Sequence, residues 1–235
     1  MKINIVPHSA ELLTSKESLL EQLKLCELAG RTCYKTEDKI TDDSAGKFIK
    51  SIVERGHESV IEHGHIVFKF IGSRSMSHQL VRHRLCEYSQ ESQRYCDYGK
   101  KGFTIICPPD VATNAVGIYY CKPTAADSWF DEKDFIVPNK RLERWLNNAM
   151  SDYNEYLYWK ANGLKNDDAR EVLPNTTKTE VMITANFRQW RHMIKHRGLN
   201  PRAQWQIREN FLSARDQLVE ILPDIFGDLY VEKED

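Results

Sequence analysis

The chain has almost no net charge, no CxxC cysteine pair, no GxGxxG loop and no apolar run of membrane-spanning length. Each absence closes off a class of function. Lys and Arg number 33 against 34 Asp and Glu, a formal net charge of −1, which argues against a protein made chiefly to coat nucleic acid. The six cysteines, at 26, 33, 86, 96, 107 and 121, are irregularly spaced and suit reduced thiols in a cytoplasm, not a disulfide frame. Without GxGxxG, any dinucleotide site must use something other than a glycine-rich turn. With no membrane-spanning run and no signal-peptide core near the N-terminus, the expected protein is soluble and cytoplasmic, with no membrane partner. At 235 residues it can bury a substantial core as a single domain.

Periodicity supplies the elements. Lys2 to Val6 alternates as a short strand, and His65 to Ile71 as a longer one. Ser15 to Ala29 reads as a helix capped by Ser15 and stopped by Gly30. Thr41 to Glu54 reads as a second helix. Ser73 is expected to cap a helix reaching about Arg84, which would set Gln79, Arg82 and His83 at i, i+3 and i+4 on neighbouring faces. Cys86 to Tyr95 reads as a loop. Residues 97–127 read as irregular, with one short strand near Phe103 to Cys107. Leu142 to Lys160 is a strong amphipathic helix ended by Gly163. Asp167 or Asp168 is expected to cap a short helix, Thr179 to Ala185 to form a strand, and Asn186 to cap a helix from Phe187 to about His196. A last long helix covers Arg202 to Leu222, with a tail from Asp224.

Chemistry concentrates in Arg82 to Tyr95. Fourteen residues hold three arginines, a histidine, two serines, two glutamines and two tyrosines. Arginine presents a permanently charged fork that matches phosphate oxygens bidentately. The arrangement suits a ligand with several phosphates and a hydrogen-bonding ring, although a solvated basic turn has the same composition. Positive charge elsewhere gathers at 188–208. His57, His63, His65, His78 and His83 fall within twenty-seven residues, but no two are spaced as zinc ligands on one helix face, so a metal is not expected.

The triplet RHR, seven residues, then Ser92, resembles the signature of the flavin-dependent thymidylate synthases. The resemblance extends through SRSMSHQLVRHR (Ser73 to Arg84) and SQRY (Ser92 to Tyr95). It continues in AREVLP (Ala169 to Pro174), TANFR (Thr184 to Arg188) and RAQWQIRE (Arg202 to Glu209), with GHESVIEH (Gly56 to His63) as a weaker block. Three blocks in the right order, covering most of 50–215, are far more specific than one triplet.

The resemblance implies an α+β fold, a central mixed or antiparallel sheet flanked by long helices in one domain over 1–235. It also implies conversion of dUMP to dTMP, with methylenetetrahydrofolate as carbon donor, NADPH as reductant and FAD as electron relay. The nucleotide positions carry over onto Gln79, Leu80, Val81, Arg82, Gln90, Glu91, Ser92, Gln93, Arg94, Arg170 and Arg197. The flavin positions carry over onto Ser59, Arg82, His83, Arg84, Gln90, Asn186, Phe187, Arg188 and His192, with His57 near flavin and folate. Arg197 would polarise the uracil ring, so Cys86 need not be a nucleophile. Relatives are homotetramers with shared active sites. Three departures stand out: Gln90 where relatives often carry Glu, His192 where they carry Asn, and one extra residue between Arg197 and Ala203. That extra residue would let Arg191 or Arg202 share the task of Arg197. Two other classes compete: a nucleotide or single-stranded nucleic-acid binding module using arginines and aromatic rings, and a metal-dependent hydrolase on the histidine cluster.

Overall fold

The computed structural model describes residues 2–121 and 139–230 and the backbone of 129–131. Along the chain run β1 (Lys2–Ile5), β2 (Ser9–Leu12), α1 (Lys16–Tyr34), α2 (Ser44–Glu54), β3 (His65–Ser73) and α3 (Arg74–Leu80). There follow β4 (Glu87–Gln90), α4 (Tyr98–Lys101), β5 (Phe103–Ile105), β6 (Gly117–Cys121), β7 (Trp129–Asp131) and α5 (Lys140–Ala161). The last elements are α6 (Asn166–Ala169), β8 (Lys178–Asn186), α7 (Phe187–Met193), α8 (Trp205–Ile221) and α9 (Pro223–Phe226). The α+β class is as expected, but the strands form two four-stranded sheets, ordered β5-β1-β6-β7 and β2-β3-β8-β4.

The described residues divide into two compact units. The first takes the chain up to His8, Ile71–His78 and Gln90–Glu180. In it β1 pairs parallel with β5 (Ile3 opposite Phe103) and antiparallel with β6 (Ile3 opposite Tyr119). Helix α5 supplies the other half of its core. Leu142, Leu146, Ala149, Tyr153 and Tyr156 recur at helical spacing and are buried with Ile3, Ile5, Phe103 and Ile105. The Phe103 and Tyr153 rings stack 4.6 Å apart, 8° from parallel.

The second unit takes Ser9–Phe70, Gln79–Ser89 and the described residues from Val181 on. Alternate residues of β3 and β8 (Ile66, Phe68, Phe70; Val181, Ile183, Ala185) are fully or almost fully buried. Phe68 meets the Trp190 ring at 4.8 Å, and Phe70 meets Phe211 at 5.2 Å. Trp190 donates its indole N–H to the Ile66 carbonyl at 3.1 Å, which satisfies its polar edge inside the core.

Several boundaries move for stated reasons. α1 continues past Gly30, whose missing Cβ admits the Phe48 ring, and ends instead at left-handed Lys35. Lys165, not Asp167 or Asp168, precedes α6, without a side-chain cap. Residues 87–90, read as loop, are strand β4, and the region from Asp224 continues α9 in place of a tail. Strand β6 adds order within the segment read as irregular. The expectations for 122–127 and 231–235 lie outside the described residues. Among the described residues no helix is long and apolar enough to cross a membrane.

Candidate active site

Helix α3 stops at Leu80, earlier than the sequence suggests, and the stop exposes the arginines. Ser73 does cap it, its hydroxyl accepting from the Met76 N–H at 3.2 Å. At the far end the Leu80 carbonyl accepts from the His83 N–H at 3.2 Å and from the Tyr88 hydroxyl at 2.9 Å. The same hydroxyl reaches the His83 carbonyl at 2.9 Å. A carbonyl engaged in this way no longer serves the next α-turn, so the chain leaves the helix. Burial, then the neighbouring Cys86, push the Tyr88 hydroxyl well above its ordinary pKa, so it stays a donor. Arg82 and Arg84 therefore do not lie on a helix face with Gln79. They project from a turn, exposed, and neither pairs with a carboxylate among the described residues. Val81 is also exposed, while Leu80 is fully buried and offers a ligand only its main chain.

His83 points inward, 9% exposed. Its Nε2 accepts from Arg197 Nε at 3.0 Å, and Arg197 Nη2 reaches the Gln79 carbonyl at 3.4 Å. Arg197 sits in a π-turn, Ile194–Gly198, closed by the Leu199 N–H on the Ile194 carbonyl at 2.9 Å. The expected α-helix to His196 thus ends at Met193 and widens, as π-turns do at functional sites. Burial, then the Arg197 charge and the neighbouring His192 and His196, push the His83 pKa down to about 4. The ring is neutral at ordinary pH. His192 is exposed, its ring 6.0 Å from that of His83 and 4.2 Å from that of His196.

The two alternative arginines differ sharply. Arg191 is buried and its fork is full: Glu58 takes Nε at 3.1 Å, Asp228 takes the other two nitrogens at 2.6 and 2.7 Å, and the Ile225 carbonyl shares one of them. It has no free edge for a substrate. Arg202 is exposed, with only its backbone N–H on Asn200 Oδ1 at 3.0 Å. Arg197 alone of the three is half-buried and held by neutral acceptors.

Asn186 caps α7 as predicted, its oxygen accepting from the Gln189 N–H at 2.8 Å. Phe187 is fully buried. Its N–H donates to the Gly64 carbonyl at 2.9 Å, and any Cβ on Gly64 would stand 2.3 Å from the phenyl ring. Arg188 is paired with Glu62 and, at 3.7 Å, with Glu58. Ser59 and His57 are exposed, and His57 Nδ1 lies 3.2 Å from the Tyr34 hydroxyl. Cys86 donates to Met193 Sδ at 3.6 Å, and burial raises its thiol pKa, which disfavours a thiolate.

The remaining candidates belong to the first compact unit. Gln90 donates its amide to Ser77 Oγ at 2.9 Å and Thr179 Oγ1 at 3.1 Å, both buried. Glu91 accepts from the Tyr98 hydroxyl and from Lys178, each at 3.1 Å, so both glutamate oxygens are used internally. Gln93 is buried, and Ser92 Oγ accepts from the Arg94 N–H at 3.3 Å. Arg94 is exposed and leans on Asp167 at 3.3 Å. Arg170 does not take the Asp167 carboxylate. Its Nε donates to the Asp167 carbonyl at 3.0 Å, and Glu171 is 3.9 Å away. The sequence reading missed Tyr88, Ser77 and Thr179 as supports, since a lone hydroxyl in a polar stretch carries no spacing signal.

Among the described residues no three His, Cys, Asp or Glu side chains are grouped to hold a metal ion. The family model described as thymidylate synthase complementing protein matches residues 16–224. The chain belongs to that family. It is 35% identical over 211 residues to a flavin-dependent thymidylate synthase of Mycolicibacterium vanbaalenii, covering 88% of this chain and 79% of the relative. It is 32% identical over 210 residues to that of Mycobacterium tuberculosis, covering 88% and 79%. A protein of the same name from Mycobacterium sp. strain JLS is 32% identical over 212 residues, 88% of this chain and 80% of the relative. These family relatives are enzymes by name, and the match spans the arginine turn, the π-turn and the Gln90 to Arg94 run.

Proposed function

We propose that this chain methylates dUMP to dTMP, with methylenetetrahydrofolate as carbon donor, NADPH as reductant and FAD as the bound electron relay. The observation that carries the reading is Arg197, a half-buried guanidinium whose hydrogen-bond partners among the described residues, His83 Nε2 and the Gln79 carbonyl, are neutral. Among the described residues no carboxylate pairs with it, so its charge is available to a ligand. A guanidinium cannot act as a base at ordinary pH. It can stabilise negative charge on the N3–O4 edge of uracil, which raises electron density at C5 where the new carbon bond forms. No cysteine nucleophile is needed, in keeping with the protonated, Met193-bound thiol of Cys86.

Arg82 and Arg84, exposed and without carboxylate partners among the described residues, fit a diphosphate. With them Ser59, His83, Asn186, Arg188, His192 and the main chain of Phe187 would hold FAD, and His57 would stack beside it. Bound FAD would supply the two-electron transfer that the methyl group requires. Ser92, Arg94 and loop amides would bind the dUMP phosphate, Gln79 or Arg170 would fix its ring or sugar, and the main chain of Leu80 to Arg82 would add contacts. Gln90, Glu91 and Gln93 would complete the dUMP-binding run. A homotetramer with shared sites in the cytoplasm, without nucleic acid, completes the proposal. The test is a product assay with dUMP, methylenetetrahydrofolate, FAD and NADPH, omitting each in turn. Loss of dTMP on every omission supports the proposal; no dTMP from the complete mixture, or colourless protein that cannot be loaded with FAD, overturns it.

A further inference from the structure

We propose that His83 is a positioning residue for Arg197: its neutral ring, through Nε2, fixes the direction of the guanidinium that acts on the pyrimidine. The proposal rests on the reading of Arg197 above and adds a role that cofactor contact alone would not give His83. The geometry is specific. Arg197 Nε donates to His83 Nε2 at 3.0 Å. A ring nitrogen that accepts carries no proton, so the proton of the neutral imidazole is on Nδ1. Nδ1–H is then the only donor this ring can offer to a cofactor, while Nε2 belongs to the arginine.

The support around the ring is built to keep it still. Tyr88 holds the His83 carbonyl at 2.9 Å, and the Phe211 ring stands 6.4 Å away edge-on. On the arginine side, the π-turn sets Arg197 where an α-turn would have carried it further round the axis. The groups facing His83 are Arg197 from the π-turn, His192 from α7, His196 from the π-turn, Tyr88 from β4 and uncharged Phe211 from α8. Among the described residues Arg197, His192 and His196, the side chains whose charge bears on the ring from neighbouring elements, are positive or become positive in acid. A second proton on His83 would remove the acceptor and set two cations 3.0 Å apart.

The experiment compares His83→Gln, whose amide oxygen can accept from Arg197 Nε, with His83→Leu, which cannot, using FAD-loaded enzyme. A misplaced catalytic group costs on the order of a hundredfold, so His83→Leu should lose roughly 30- to 100-fold in kcat at saturating dUMP. His83→Gln should recover to within about threefold of wild type, with kcat expressed per bound flavin in both variants so that any loss of FAD is separated from loss of turnover. Activity equally poor in both variants, or unimpaired in His83→Leu, overturns the proposal. A second measurement does not depend on turnover. In nitrogen-15-labelled wild-type protein the Arg197 Nε–H should exchange slowly with water, and His83 should show the Nδ1–H tautomer. Fast exchange or the Nε2–H tautomer overturns the proposal even if the enzyme makes dTMP. Slow exchange with no dTMP would leave the contact standing while the reading of the reaction fails.

Discussion

Gln90 donates to Ser77 Oγ at 2.9 Å while the proton of that same hydroxyl goes to the Arg74 carbonyl, also at 2.9 Å. Ser77 is thus an acceptor toward Gln90 by arrangement, and Thr179 Oγ1 is a second acceptor at 3.1 Å. A carboxylate in place of the amide would face lone pairs where donors are needed. Gln90→Glu should destabilise the protein by about 1–3 kcal/mol, read as a lower urea midpoint. Unchanged stability would mean that the hydroxyls rotate freely to donate.

Arg191 and its carboxylates form a buried structural clamp. Burial alone would raise the Asp228 carboxyl, but hydrogen bonds and charge from Arg191 outweigh it and hold the pKa below the ordinary range. The Asp228 side chain is 54% exposed, so solvent weakens the effect. Asp228→Ala should cost about 1–3 kcal/mol and leave the kcat of folded enzyme near wild type. The contribution is present above the usual carboxylate pKa and disappears as pH falls through the lowered one. A selective loss of kcat with unchanged melting temperature would contradict this assignment.

His83 makes stability depend on pH in the same direction. Above its ordinary pKa of 6.5 the ring is neutral in folded and unfolded chains alike. Between 6.5 and about 4 the unfolded chain takes a proton that the folded chain refuses, so stability falls as pH falls. The full drop is about 3 kcal/mol. His83→Leu should flatten the fall in urea midpoint between pH 7 and pH 5. An identical slope in both proteins would assign the effect to other groups.

Arg197→Ala should fold and hold FAD yet lose at least about a hundredfold in dTMP production. Near-normal turnover would pass the role to Arg202, since Arg191 has no free edge.

Arg94 and Asp167 meet at the surface, 3.3 Å apart and both well exposed. Such a pair is readily given up to a phosphate. Arg94→Ala should raise the KM for dUMP roughly tenfold, whereas Asp167→Ala should leave it equal or lower. Nucleotide affinity insensitive to Arg94 would remove it from the site.

Long periodic elements were legible from local pattern, because a buried stripe must repeat at the period of its element. α5, β3, β8 and the Asn186 cap came out within a few residues of their bounds. The short pieces were not. β4 has four residues with half-buried alternation, too little to outweigh its polar composition. The premature end of α3 depends on a hydroxyl eight residues away, which no local window weighs.

Residue types and spacing by themselves determined which groups are present: a cluster of arginine forks, no GxGxxG loop, and three ordered motifs that match a family. Tertiary structure alone decided which cations remain available. Arg191 and Arg197 sit six positions apart in one basic stretch, yet one is enclosed by carboxylates and the other is held by a neutral imidazole and a carbonyl. Charge is written in the sequence, but its neutralisation depends on what folding brings within hydrogen-bond reach.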